Sequence, residues 1–248
     1  MKALIPVPIL AAAILAPAAH AQTDAASSTV RFNLAVASDY RYRGISQTRL
    51  RPALQGGVDL DHASGWYVGA WTSTIKWIDD AGGDGKLELD LYGGKRGELA
   101  PSLSYDVGVL RYLYAGNRLG RLPGFANAHT TEVYGQLGFG PAYVKYSHAT
   151  TNLFGFVDSR NSGYLDIGAN LDAGNGVVVQ LRAGRQRVEN NDASSYTDWR
   201  IGASRAFGAA NVSLAVIGTN AGRSAYASPA NGTFMGKTAL VVSVGATF

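Results

Sequence analysis

The chain contains no cysteine, so disulfides and thiolate metal sites are both closed to it. Charge is scarce as well. Asp, Glu, Lys and Arg make up 16% of the residues, against about 25% in an average soluble protein. After Ala21 no apolar run approaches the roughly 20 residues of a spanning helix, so any crossing of a membrane falls to strands. Histidine occurs four times, and His62, His129 and His148 lack the close spacing of a zinc site. No phosphate loop of the Gly-Lys-Ser/Thr type is present. Gly202-Ala203-Ser204-Arg205-Ala206 lacks the second glycine of a nucleophile elbow and falls in a strand pattern. Ser147 adjoins His148, the residue types of lipid hydrolases, but adjacent strand residues point to opposite faces. No cofactor, metal site or catalytic residue is expected, and the chain reads as a non-enzyme. An outer-membrane lipid hydrolase is the alternative on that point.

What is present points to the envelope of a Gram-negative cell. Lys2, an apolar run from Ala3 to Ala18 and Ala19-His20-Ala21 have the layout of a secretory signal peptide. Pro6, Pro8 and Pro17 argue against a retained membrane helix. The expected division is a cleaved segment at residues 1–21 and a mature barrel at residues 22–248. The net charge of +4 and a pI near 9.3 raise nucleic-acid binding. The basic residues are dispersed and the chain is expected to be exported, so no nucleic-acid partner is expected.

From Val30 onward the chain divides into segments of about ten residues with period-two alternation, the length of a tilted transmembrane strand. The first runs from Val30 to Arg43, with Phe32, Leu34, Val36, Tyr40 and Tyr42 on one parity and Arg31, Asn33, Asp39, Arg41 and Arg43 on the other. Leu87, Leu89 and Leu91 oppose Glu88, Asp90 and Tyr92. Leu165, Ile167 and Leu171 oppose Tyr164, Asp166 and Asn170. Val179, Leu181 and Ala183 oppose Gln180 and Arg182, and Trp199 and Ile201 oppose Asp198 and Arg200. The last strand sets Leu240, Val242, Val244, Ala246 and Phe248 on one face, with Val241 off pattern. Weaker copies bring the total to about twelve, even as single-chain bacterial barrels require. A slip of one residue would turn Arg182, Arg200 and Asp166 to lipid, at about 2–4 kcal/mol for each basic residue. The polar parity is therefore expected inside.

Connections alternate in length. Short links fall at His62 to Gly65, Glu98 to Pro101, Gly138 to Pro141, Ala173 to Gly176 and Phe207 to Ala210. Longer ones fall at Gly44 to Arg51, Trp77 to Gly85, Ala115 to Ala128, His148 to Asn161, Arg187 to Ser195 and Thr219 to Lys237. The fold class is thus an all-β, closed antiparallel transmembrane barrel with short periplasmic turns and longer extracellular loops. A soluble lipocalin-like barrel would bury the apolar parity instead, which the inward charges oppose. Eight strands are filled by their own side chains and sixteen or more leave an aqueous channel, so twelve imply a narrow, interrupted lumen.

The candidate pore-lining residues are Arg31, Asp59, Glu88, Asp90, Glu132, Lys145, Asp166, Arg182, Asp198 and Arg200. They could select polar solutes, or pair as ladders that brace and plug the barrel. If solutes pass, Arg182 and Arg200 are expected at the constriction, with Arg31, Lys145, Asp166 and Asp198 as partners. Tyr40, Tyr42, Trp66, Tyr146 and Phe248 are expected in the interfacial girdle. Phe125, Phe154, Phe156 and Tyr226 are expected to fold with their loops onto the barrel mouth.

Val36-Ala37-Ser38-Asp39-Tyr40-Arg41-Tyr42-Arg43-Gly44-Ile45-Ser46-Gln47-Thr48, followed by Pro52-Ala53-Leu54-Gln55-Gly56-Gly57, resembles the first hairpin of the TorF-type outer-membrane porin family. That family is also known as a bacterial outer-membrane protein family of unknown function. In strand rhythm the resemblance runs to Phe248. It implies an outer-membrane barrel with a channel role, and it carries no catalytic residues or substrate. The expected function is passive diffusion of small polar solutes through a narrow channel in the outer membrane. The alternative is a non-conducting plugged barrel that binds an envelope partner or ligand through its loops. Expected partners are membrane lipids, lipopolysaccharide, small polar solutes, and the outer-membrane assembly machinery through the strand ending in Phe248.

Overall fold

Twelve strands close into one antiparallel barrel in the computed structural model, which describes residues 27–248. The expected signal segment, residues 1–21, lies outside the described residues. In chain order the strands are β1 (Ser28–Ala37), β2 (Arg41–Tyr42), β3 (Ile45–Ser46), β4 (Ala53–His62), β5 (Trp66–Thr74), β6 (Leu87–Ala100) and β7 (Leu103–Ala115). They continue as β8 (Thr130–Phe139), β9 (Ala142–Ala149), β10 (Gly163–Gly174), β11 (Val177–Arg187), β12 (Tyr196–Phe207), β13 (Ala210–Thr219) and β14 (Ala239–Thr247). The short β2 and β3 form a separate ribbon, and the other twelve pair in sequence order. Closure comes from β1, which pairs with β4 on one side and β14 on the other, setting Ala35 against both Gln55 and Gly245.

The expected strands and turns are found, with one correction at the start. The first strand ends at Ala37, not Arg43, and its loop therefore begins at Ser38 rather than Gly44. The tight turns include Asn175 and Gly176, both at positive φ (53° and 73°), the backbone of a two-residue hairpin. The helices among the described residues are single turns, including α1 (Trp77–Asp80) and α2 (Arg223–Tyr226), both in loops at the long-loop end. None is long and apolar enough to cross a membrane.

The outer parity is apolar and open. Phe32, Leu34, Ile201 and Leu240 are 54–59% exposed, and the pattern continues around every barrel strand. A soluble monomer rarely leaves so continuous an apolar belt in water, whereas a closed barrel in lipid must. Trp66, Phe139, Phe207 and Phe248 project from the short-turn end, where an interfacial girdle belongs. Replacing Ile201 by arginine is expected to cost about 2–4 kcal/mol of stability in lipid vesicles, measured by urea unfolding. A loss within experimental error would show that this face does not meet hydrocarbon.

Inside, glycines make room for tyrosines. A Cβ at Gly168 would lie 2.7 Å from the ring of Tyr143, and one at Gly108 would lie 2.6 Å from the Tyr134 hydroxyl. Inward tyrosines thus lie flat over glycines of the neighbouring strand, which uses the chain's surplus of both residues. Val241, off pattern in the sequence, faces inward opposite Ala215.

Candidate functional site

The lumen at the long-loop end is closed by the first loop. After Ala37 the chain leaves the wall: Ser38 N donates to Val242 O at 2.8 Å, and Val242 N donates to Ser38 Oγ at 3.0 Å. The Asp39 carboxylate then organises the turn inward. It accepts from Arg41 Nε at 2.7 Å, Ser46 Oγ at 2.5 Å and Thr48 Oγ1 at 3.2 Å. Between these donors runs the β2–β3 ribbon, whose tip is Arg43 (φ 46°) and Gly44 (φ 80°). Two successive positive φ values make the two-residue hairpin turn that matches strand twist.

Arg43 is the anchor. Its Nη2 donates to Glu132 Oε2 at 2.6 Å and its Nη1 to Gln186 Oε1 at 2.7 Å, so one guanidinium bridges β8 and β11 across the lumen. The guanidinium also lies over the rings of Tyr42 and Tyr164, 4.7 and 4.2 Å from their centroids. Both charges of the pair are nearly sealed, with 6% and 2% of their side chains exposed. Beside it Tyr42, Tyr112 and Phe154 pack edge to face at 5.0–5.5 Å, and the two tyrosine hydroxyls lie 2.5 Å apart. Tyr40 packs on Trp71 at 5.4 Å and donates to Glu88 Oε1 at 3.3 Å.

Other loops clamp the ribbon from above. Arg41 Nη1 donates to Lys237 O at 2.7 Å, and Ser46 N donates to Met235 O at 3.0 Å. Asp80 in α1 pairs with Arg49 at 3.3 Å and accepts from Ser228 Oγ at 2.9 Å, tying three loops together. Beside it, a hydrogen bond from Lys76 and the nearby Lys86 ammonium hold the Asp79 carboxyl below the usual carboxylate range. Phe154 and Phe156 fold inward as expected, while Phe125 stays 40% exposed.

All ten pore-lining candidates fall on the inward parity, in layers. Nearest the short turns, Asp61 receives both Arg31 and Arg96, and Tyr92 donates to Asp59 at 2.5 Å. At mid-barrel the Lys145 ammonium sits 3.8 Å from the Tyr134 ring centroid. Arg182 pairs with Asp166 at 3.0 Å and Asp198 at 3.6 Å, and the Tyr164 hydroxyl, which accepts from it, donates to Asp198. Arg200 stands directly opposite Arg182 on the next strand, yet among the described residues it forms no ion pair. Its protein partner is the neutral Gln180 Oε1 at 3.1 Å. Glu88, Asp90, Glu132 and Asp198 are at most 2% exposed and lie beneath the loop.

Tyr40 and Tyr42 are therefore not interfacial residues; Tyr40 is 3% exposed, inside the barrel. The ribbon repeats the strand's period of two, so the alternation continues although the chain has turned inward. Trp66 and Tyr146 do face outward, at 59% and 49% exposure. Gln186, Tyr112, Tyr164 and Gly44 were missed as parts of the plug. The available signal was Arg43-Gly44 flanked by β-forming Tyr42 and Ile45, the pattern of a two-residue hairpin inside the presumed first strand.

A closed strand barrel with an apolar outer belt and an ionic interior is a membrane-spanning β-barrel. Residues 21–248 match the family described as "Bacterial protein of unknown function (Gcw_chp)", and the chain belongs to that family. No curated protein matches the chain. Among solved structures it is similar to LpxR from Salmonella typhimurium, with 14% identity and a TM-score of 0.46 over 88% of this chain and 99% of that one. It is also similar to a mutant porin of Rh. blastica, with 14% identity and a TM-score of 0.38 over 78% and 55%. The outer membrane protein OprD from Pseudomonas aeruginosa has 9% identity and a TM-score of 0.38 over 88% and 64%. The likeness is one of architecture, and no activity passes from these proteins to this chain.

Proposed function

We propose that the protein is a narrow outer-membrane channel for passive diffusion of small polar solutes, its bore set by the first loop. The observation that carries this reading is the nature of the obstruction. The element filling the mouth is a loop hairpin held by ion pairs and hydrogen bonds from Asp39, Arg41, Arg43 and Ser46 and by aromatic packing on Trp71 and Tyr112, and it is separate from the continuous twelve-strand wall. This reading agrees with the TorF-type porin resemblance, with removal of residues 1–21 on export, and with residence in the outer membrane. Membrane lipids and lipopolysaccharide would contact the apolar belt, and the assembly machinery would engage the strand ending in Phe248. The chain is read as a non-enzyme, in keeping with Ser147 facing the lumen and its neighbour His148 the opposite side.

A second reading is favoured by the near-complete burial of Glu88, Asp90 and Glu132 beneath the loop. In it the barrel stays plugged and its loops bind an envelope partner. Planar-bilayer recording of the refolded protein separates the two. Discrete conductance steps smaller than those of wide porins are expected. Absence of steps from protein shown to be folded by heat-modifiable gel mobility would sink the channel reading and leave the second.

A further inference from the structure

We propose that the outward face of β7 to β12, at the long-loop end, binds the phosphates of lipopolysaccharide in the outer leaflet. Four polar side chains stand there on alternate strands: Arg111 on β7, His148 on β9, and Arg185 and Arg187 on β11. Cross-strand partners share a face of a sheet, and here those partners face lipid. Arg111 stands against Leu91, His148 against Val133 and Arg185 against Leu165, and these three apolar residues are 42–45% exposed. Register places the row at the rim. Arg111 faces Thr131, the second residue of β8; His148 faces Gly163, the first of β10; Arg187 is the last of β11. Neighbouring strands lie about 4.8 Å apart, so alternate strands set these groups about 10 Å apart across the sheet.

The charge of this row is not neutralised by the protein. Arg111 Nη1 donates to Thr131 Oγ1 at 2.5 Å and Arg185 Nη1 to Thr197 Oγ1 at 3.4 Å, both uncharged acceptors. Among the described residues neither arginine joins an ion pair, and Arg187 has only a surface pair with Glu189 at 2.8 Å. The outward parity of β7 to β12 carries no acidic residue. Tyr146, 49% exposed, lies over Gly163, where a Cβ would be 2.9 Å from its ring Cζ. That sets a phenol between His148 and Arg187, the cross-strand partners of Gly163. The other half of the rim differs. Its outward positions at this end are Val36, Leu54, Thr74, Leu87, Val216 and Leu240, all uncharged.

A basic residue on the lipid face costs only about 0–1 kcal/mol near the interface, and its long stem carries the charge to headgroup level. The planar guanidinium fork suits two parallel bonds to a phosphate. Directly beneath the row, Leu165 and Ile167 offer apolar surface to acyl chains, at 45% and 51% exposure. Cations above and hydrocarbon-facing residues below fit a phosphorylated lipid better than a soluble anion. The inference rests on the reading that the barrel lies in the outer membrane with its long loops outward, and the lumen plays no part in it.

Native mass spectrometry of the refolded mature barrel in detergent, with EDTA present, tests the assignment. It compares lipopolysaccharide, dephosphorylated lipopolysaccharide, phosphatidylglycerol and inorganic phosphate. The wild type is expected to hold intact lipopolysaccharide at least tenfold more tightly than the dephosphorylated form or phosphatidylglycerol, with negligible binding of inorganic phosphate. Arg111→Gln and Arg185→Gln together should weaken that binding at least tenfold. Lys95→Gln and Arg205→Gln together remove the same charge from the outward parity of the opposite rim, beside Trp66 and Phe207, and should leave it unchanged. Should the first pair fail to fold by heat-modifiable mobility, the dephosphorylated lipid on the wild type decides. Equal affinity for intact and dephosphorylated lipid, equal affinity for phosphatidylglycerol, saturable binding of inorganic phosphate, or equal loss in both double variants would overturn the site. Residence in the outer membrane is checked separately by fractionation, so loss of that reading and loss of the patch give different results. Binding without any conductance would leave the patch intact and remove the channel reading instead.

Discussion

Replacing Arg43 with alanine is expected to destabilise the barrel by about 3–5 kcal/mol, the cost of removing one partner of a buried ion pair. It is also expected to raise its conductance. Glu132 would keep its charge with 2% of its side chain exposed and would lose its ion-pair partner. Gln186 would lose the donor at 2.7 Å, and the rings of Tyr42 and Tyr164 would lose the cation between them. The desolvation penalty on Glu132 dominates, because a half-broken buried pair is worse than none. Glu132→Gln should be milder, since a neutral amide still offers an oxygen to the guanidinium. Urea unfolding followed by tryptophan emission gives the stability term. An Arg43→Ala barrel as stable and as conductive as the wild type would show that the ribbon is held by something else.

Gly44→Val is expected to reach the same end without removing a polar group. The residue sits at φ 80°, where a side chain costs roughly 1–2 kcal/mol. Its first carbon would lie 2.8 Å from Asp198 Cβ and closer still to Thr219 Cγ2. Overpacking of this kind typically adds about 1–3 kcal/mol. The two costs act together, because the wall is sheet and the ribbon is the part able to yield. The ribbon should lift from its place and conductance should rise as in Arg43→Ala, with Glu132 and Arg43 both still present. Gly124→Ala is the matched control. It has a similar φ of 82° but nothing within 4 Å of the added carbon, so it carries only the backbone term. Equal behaviour of the two variants in bilayer recordings would refute the steric account.

Most of the barrel was legible because lipid on one side and charge on the other force a period of two. Leu165 against Asp166, or Ile201 against Arg200, fixes which way each strand faces, and the structure places them so. The turns were legible because Asn175-Gly176 and its like supply the positive φ that short hairpins demand. The plug was not. Its contacts span 89 and 143 positions, from Arg43 to Glu132 and Gln186, and no local pattern encodes them. Tyr40 and Tyr42 kept the outward rhythm of β1 while lying inside, since a ribbon has the same period as the strand it follows. The inward parity of Arg182 and Arg200 was also readable. That Arg182 would be matched by Asp166 and Asp198 while Arg200 lacked a carboxylate depends on inter-strand register, which one sequence does not display. The residues that carried the family resemblance, Val36 to Thr48 and Pro52 to Gly57, include the ribbon that folds into the lumen.

The central claim, that this ribbon occludes an otherwise passable lumen, is tested most directly by planar-bilayer conductance. The measurement compares the intact barrel with one in which residues 40–47 are replaced by a short glycine linker. Both are first shown to be folded by heat-modifiable mobility. A several-fold larger unit conductance after removal of the ribbon is expected, with the wall strands unchanged. The same small conductance, or the same silence, from both proteins would contradict it.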